Sequence, residues 1–142
     1  MEPTSLGVIL DSSVVIEAER RHLNAAQFLK QIMEKIGEME AALSPVTVAE
    51  LAHGVHRADT PERRERRRFF LDDLKTALPV HPITAVTGEL VGKISADSAA
   101  AGVTIPFDDL LIAACALERG YVVATRNIRH FQKVPGLRLM PV

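Results

Sequence analysis

The stretch GVILDSSVVIE, residues 7–17, decides how this chain folds. Gly7, Val8, Ile9 and Leu10 form a short run without polar alternation. Such a run predicts a strand covered on both faces, as in a parallel sheet flanked by helices. It stops on Asp11, a carboxylate at the carboxyl end of the strand, where open α/β sheets place their ligands. Two readings stand side by side at this point. Either Asp11 or Ser12 caps the helix that follows, or the carboxylate belongs to a site.

Outward from this strand (6–11), the pattern predicts a helix over 12–20 and a second over 24–37, with Phe28, Leu29, Ile32, Met33 and Ile36 at helical spacing. A short strand follows at 40–44. Ser44 as N-cap and Pro45 at the first helical position open a helix in SPVTVAELAHGVHRA (44–58). Thr60 and Pro61 repeat that signal before TPERRERRRFFLDDLKTAL (60–78). PVHPI (79–83) reads as a short strand, and 84–101 and 107–119 as helices, the second closed by Gly120. YVVAT (121–125) is a strand and LRLMPV (137–142) a last one. Strands alternating with helices predict an α/β fold with a mainly parallel central sheet. No repeat or long linker divides residues 1–142, so one domain is expected.

Composition narrows the function. With 142 residues, 47% hydrophobic and 25% charged, the chain is of ordinary globular make-up. A net charge of −1 gives no global pull toward nucleic acid, so a polyanion has to be met by local patches or a bound cation. Glu2 and Pro3 stand where a leader would carry basic residues, and no apolar stretch approaches the roughly eighteen residues of a membrane span. The single Cys115, in the apolar run LLIAACAL, excludes an internal disulfide. A cytoplasmic location without membrane attachment is expected.

Two further acidic positions raise the question posed by Asp11. Helix 107–119 has no polar face over two turns and is expected to be buried all round, yet it opens on Asp108 and Asp109. One acid suffices for the helix dipole; two adjacent acids exceed that need. Glu50 lies opposite the face shared by Val48, Leu51, Ala52 and Val55, and so looks onto either solvent or a cleft. Thr47-x-x-Glu50 also fits a capping box, although Ser44-Pro45 already starts that helix.

In this order and with these neighbours, VILDSSVVIE, LSPVTVAELAHGV, IPFDDLLIAACALERGYVVAT and TRNIRHFQKVPGLRL resemble the PIN-domain nucleases, most closely the VapC-type toxins of toxin–antitoxin pairs. The resemblance spans nearly the whole chain, and DLLIAACAL followed by ATRNIRHF is its most specific part. It implies a PIN-like three-layer sandwich and a metal-dependent endoribonuclease site in which Asp11, Glu50 and Asp109 are the acidic catalytic and metal-site residues. Asp109 precedes LLIAA at the family's spacing, which leaves Asp108 to the cap or rim. Where family members often carry a fourth acid, Asn127 stands here and adds no charge. Ser13, Thr125 and Asn127 are then expected to orient metal-bound waters, and Arg126 and Arg129 to meet the RNA backbone. A cognate antitoxin and pairing into a homodimer are implied as partners.

The chemistry gives the cluster its reason. Two carboxylates 4 Å apart repel by roughly 4 kcal/mol at an effective dielectric near 20, so three mutual pairs would cost on the order of 12 kcal/mol. That is comparable with a domain's net stability of about 5–15 kcal/mol. Such a cluster persists by binding a cation or holding a proton. Oxygen donors without a Cys/His set select Mg²⁺ or Mn²⁺. RRERRR (63–68) offers a phosphate-binding patch or a solvated face with a Glu62–Arg66 pair. Phe69, Phe70, Leu71 and Leu74 beside it supply either a partner surface or core. Three other readings compete. Glu50-x-x-His53-x-x-His56 has the spacing of di-iron bundles, which need two copies on a four-helix scaffold. His81 and His130 lack ligand spacing. A signalling receiver needs an acid after the mid-chain strand, and PVHPI has none. A PIN-fold binding module without catalysis is the third alternative.

Overall fold

In the strand that opens the chain, successive side chains enter two different cores: Val8 and Leu10 pack on one side, Ile9 on the other. That is why the run shows no polar alternation. The structure, a computed structural model, describes residues 6–142; Glu2 and Pro3, on which the leader reading rests, lie outside the described residues. The elements are β1 (Gly7–Leu10), α1 (Ser12–Arg20), α2 (Ala25–Ile36), β2 (Glu40–Ala42), α3 (Pro45–Arg57), α4 (Pro61–Ala77), α5 (Ala85–Ala100), α6 (Phe107–Arg119), β3 (Val122–Thr125), α7 (Ile128–Phe131) and β4 (Leu139–Pro141). The four strands pair in the order β2-β1-β3-β4, all parallel. The carboxyl ends of β1 and β3 therefore share one edge of the sheet.

Helices cover both faces. Val14, Val15 and Ala18 of α1, Phe28, Ile32 and Ile36 of α2, and Leu74 of α4 pack with Val8, Leu10 and Ala124. Val91 and Ile94 of α5 and Leu110, Ile112, Ala113, Ala114 and Ala116 of α6 pack with Ile9, Ala42 and Val123. As expected, α6 is buried all round through its middle, with Ile112 to Ala116 fully enclosed. Gly120, in the left-handed region at φ 68°, closes it. Gly7 is required for a different reason. A Cβ there would lie 2.6 Å from both the Glu40 carbonyl oxygen and the Tyr121 ring.

Two local expectations change. PVHPI is not a strand: it makes one isolated parallel bridge, Leu43 to Val80. Leu43 N–H donates to the Pro79 carbonyl and His81 N–H to the Leu43 carbonyl, both at 2.9 Å. Pro79 and Pro82 carry no N–H, so the ladder cannot continue. The short helix α7 was not anticipated. Of the apolar cluster on α4, Leu71 and Leu74 are core and Phe70 packs its ring 5.8 Å from Phe28, while Phe69 stays exposed. Among the described residues, no helix is long and apolar enough to cross a membrane.

Candidate functional site

Asp11 stands at the N-cap position of α1, but its side chain makes no capping hydrogen bond. Buried at 3% exposure, its Oδ2 instead accepts from the Ser13 hydroxyl at 2.7 Å and from the Thr125 hydroxyl at 2.8 Å. Each hydroxyl is in turn polarised by a main-chain N–H: Arg126 donates to Ser13 Oγ at 3.0 Å and Asn127 to Thr125 Oγ1 at 2.8 Å. The ends of β1 and β3 thus hold one carboxylate by a four-part network, and such chains strengthen one another. The capping reading of Asp11 is excluded by this geometry.

Glu50 reaches the same edge through α3. Ser44 caps that helix by accepting the Thr47 N–H at 3.1 Å, so the alternative capping box built on Thr47 and Glu50 is not used. Thr47, fully buried, donates its hydroxyl to the Leu10 carbonyl at 2.8 Å, which ties the first turn of α3 to the end of β1. One turn further on, Glu50 faces the cleft and accepts from Ser12 Oγ at 3.2 Å. The cleft is an open groove of about 600 Å³ whose lining includes Ser12, Ile16, Val46, Glu50, His53 and Asp108. Burial, with Asp11 and Asp108 nearby, raises the Glu50 carboxyl from its ordinary 4.5 to about 7.

Asp109 enters from the first turn of α6, 7% exposed. Burial and the neighbouring Asp108 push its carboxyl up, His130 pulls it back, and Asp11 pushes it up again. Asp11 and Asp108 therefore each act on both Glu50 and Asp109. Asp108, expected at the cap or rim, lines the cleft with Glu50 and helps to raise the Glu50 carboxyl. Sequence reasoning missed His130, whose Nδ1 lies 3.0 Å from Asp109 Oδ2. It also missed Ser12 as a Glu50 partner.

The remaining candidates are placed as follows. Asn127 is exposed and its side chain caps nothing. Arg126 turns toward α1, 3.9 Å from Glu17 and 3.4 Å from the Val142 carbonyl, and Arg129 is exposed. In the basic run, Arg67 binds Glu19 and the Gly54 carbonyl at 2.8 Å each, Arg63 pairs with Asp59 and Arg68 with Asp72; the Glu62–Arg66 pair does not form. His53 and His56 are exposed on α3, with His53 at the cleft.

The donor set is entirely hard oxygen and mutually repulsive, which suits a hard divalent cation. The side chains are not drawn into a coordination shell: among the described residues, no three Asp, Glu, His or Cys side chains are placed to hold an ion together.

Residues 8–137 match the PIN domain family. The chain belongs to the PIN-domain family. Among curated relatives, this PIN domain is 28% identical over 137 residues to ribonuclease VapC1 of Rickettsia felis, covering 96% of this chain and 97% of the relative. It is 31% identical over 103 residues to the tRNA(fMet)-specific endonuclease VapC of Salmonella typhimurium, covering 68% and 71%. In fold it is similar to the DNA-bound VapBC crystal structure from Salmonella typhimurium, with TM-score 0.80 and 24% identity over 96% of this chain and 98% of that one. The parallel sheet and its flanking helices are thus those of the PIN architecture.

Proposed function

We propose that this PIN domain is an endoribonuclease that hydrolyses RNA phosphodiester bonds, the toxin of a VapBC-type pair, and that it works with Mg²⁺ or Mn²⁺ held by Asp11, Glu50 and Asp109. The observation that carries this reading is that Asp11 at the end of β1 acts electrostatically on both Glu50 of α3 and Asp109 of α6, each of which is also raised by burial. Ribonuclease and endonuclease relatives over most of the chain support it. When bound, a divalent ion supplies positive charge to a phosphate and activates water. The chain's own residues prepare the place. Ser13 and Thr125 fix Asp11 Oδ2, Thr47 sets the turn that carries Glu50, and burial with the nearby Asp11 and Asp108 raises the Glu50 carboxyl to about 7. Asn127, which adds no charge, and the exposed Arg129 border this edge. Arg126 and Arg129 are proposed to meet the RNA backbone.

The partners follow from the same reading: a cognate antitoxin lying over the acidic cleft, and a second copy of the chain. Structural neighbours from Rickettsia felis and Salmonella typhimurium were solved as VapBC bound to DNA. The test is Mg²⁺-dependent cleavage of a mixed RNA pool by the wild type and by Asp11→Asn. Cleavage by the wild type alone is expected; equal cleavage by both removes the site, and binding without cleavage favours the non-catalytic module. Expression of the chain should be toxic, and the neighbouring open reading frame should relieve it.

A further inference from the structure

Each of the three proposed ligand carboxylates has one oxygen in contact with a polar side chain of another residue. Asp11 has two hydroxyls and Glu50 has the Ser12 hydroxyl. No hydroxyl reaches Asp109; its Oδ2 is met by the imidazole of His130, Nδ1 at 3.0 Å. The imidazole is itself half exposed, while Asp109 is buried.

The placement of His130 is built into the fold. Asn127 N–H is held by Thr125 Oγ1, the same hydroxyl that donates to Asp11. His130 N–H returns to the Asn127 carbonyl at 3.1 Å, closing the turn. Phe131, the next residue, is fully buried in the core beside α6 and fixes the rotation of α7. With Phe131 anchored inward, His130 is carried to the mouth of the site. Position 127, where the family resemblance calls for a fourth acid, holds an amide, and one turn later the same short helix delivers an imidazole to the third acid.

We infer that His130 is a positioning residue for the nuclease reaction: its Nδ1–H orients the Asp109 carboxylate so that the remaining oxygen is presented to a divalent ion. This rests on the nuclease reading above. Groups that hold a ligating side chain in orientation typically change metal affinity or activity by about 10–100-fold when removed. Asparagine places its amide N–H close to where histidine carries Nδ1, whereas glutamine's amide falls nearer Nε2, so the two discriminate orientation from mere polarity.

The experiment uses the full chain as wild type, His130→Ala, His130→Asn and His130→Gln. Mn²⁺ affinity is read without RNA, from the electron-spin signal of free Mn²⁺, and kcat and KM are read on an RNA the wild type cleaves. His130→Ala should weaken Mn²⁺ binding and lower kcat by about tenfold or more, with KM for RNA unchanged. His130→Asn should regain most of both, and His130→Gln should not. Wild-type Mn²⁺ affinity and kcat in His130→Ala would overturn the assignment, as would equal behaviour of the Asn and Gln variants. A loss confined to KM would overturn it too, by making His130 an RNA contact. A wild type that neither binds Mn²⁺ nor cleaves RNA would instead overturn the nuclease reading.

Discussion

Replacing Glu50 by Gln should make the metal-free protein more stable while abolishing its proposed activity. In the folded chain, burial and the charges of Asp11 and Asp108 raise this carboxyl from 4.5 to about 7. The folded state therefore holds the proton more tightly than the unfolded chain does. Its relative stability is fully present below pH 4.5 and is lost as pH rises through 7. At about 1.36 kcal/mol per tenfold change, the full effect is about 3.4 kcal/mol. Glu50 is only half buried, and solvent screening reduces this to about 1–2 kcal/mol. Gln keeps the acceptor for Ser12 Oγ and removes the charge. Thermal unfolding in EDTA should then show Glu50→Gln melting about 3–8 °C above wild type at pH 8 and close to it below pH 4.5. Cleavage in Mg²⁺ should fall to background. A variant less stable than wild type at pH 8, or a gain of equal size at both pH values, would refute the reasoning, because neither can arise from relieved carboxylate repulsion.

Other substitutions probe the frame around that cluster. Thr125→Val removes the donor to Asp11 and the acceptor for the Asn127 N–H; it should cost about 1–3 kcal/mol in urea unfolding and lower cleavage about tenfold. Thr47→Val deletes the bond to the Leu10 carbonyl and should cost about 1 kcal/mol, with reduced cleavage because the turn carrying Glu50 is freed. Gly7→Ala forces a methyl group to within 2.6 Å of the Glu40 carbonyl and the Tyr121 ring. Urea unfolding should show a loss of about 1–3 kcal/mol, with cleavage by the remaining folded protein unchanged, since this end of the sheet lies away from the acids.

Much of the fold was legible because the apolar run at 7–10 admits few arrangements, and because Ser44-Pro45 and Thr60-Pro61 mark helix starts that the structure uses. PVHPI misled: its β-like composition says nothing of the missing N–H groups until a partner strand is known. At four residues, α7 spans barely one helical turn, too short for a hydrophobic period to repeat. The acids were legible as candidates, yet each had a local explanation as good as the distant one. For Asp11, contacts with Thr125, 114 residues away, exclude the cap. For Glu50, the wheel gives the direction of the side chain but not what lies there; Ser12 and Asp108 do. His130 had no spacing to betray it, because its partner is a single carboxylate on another helix.

The most direct test is anomalous diffraction from crystals soaked in Mn²⁺. A peak should lie about 2.0–2.2 Å from oxygens of Asp11 and Asp109, with Glu50 joined to it directly or through water. Saturating Mn²⁺ that leaves these three carboxylates without a peak, or that collects elsewhere on the chain, would contradict a metal-holding cluster at this sheet edge.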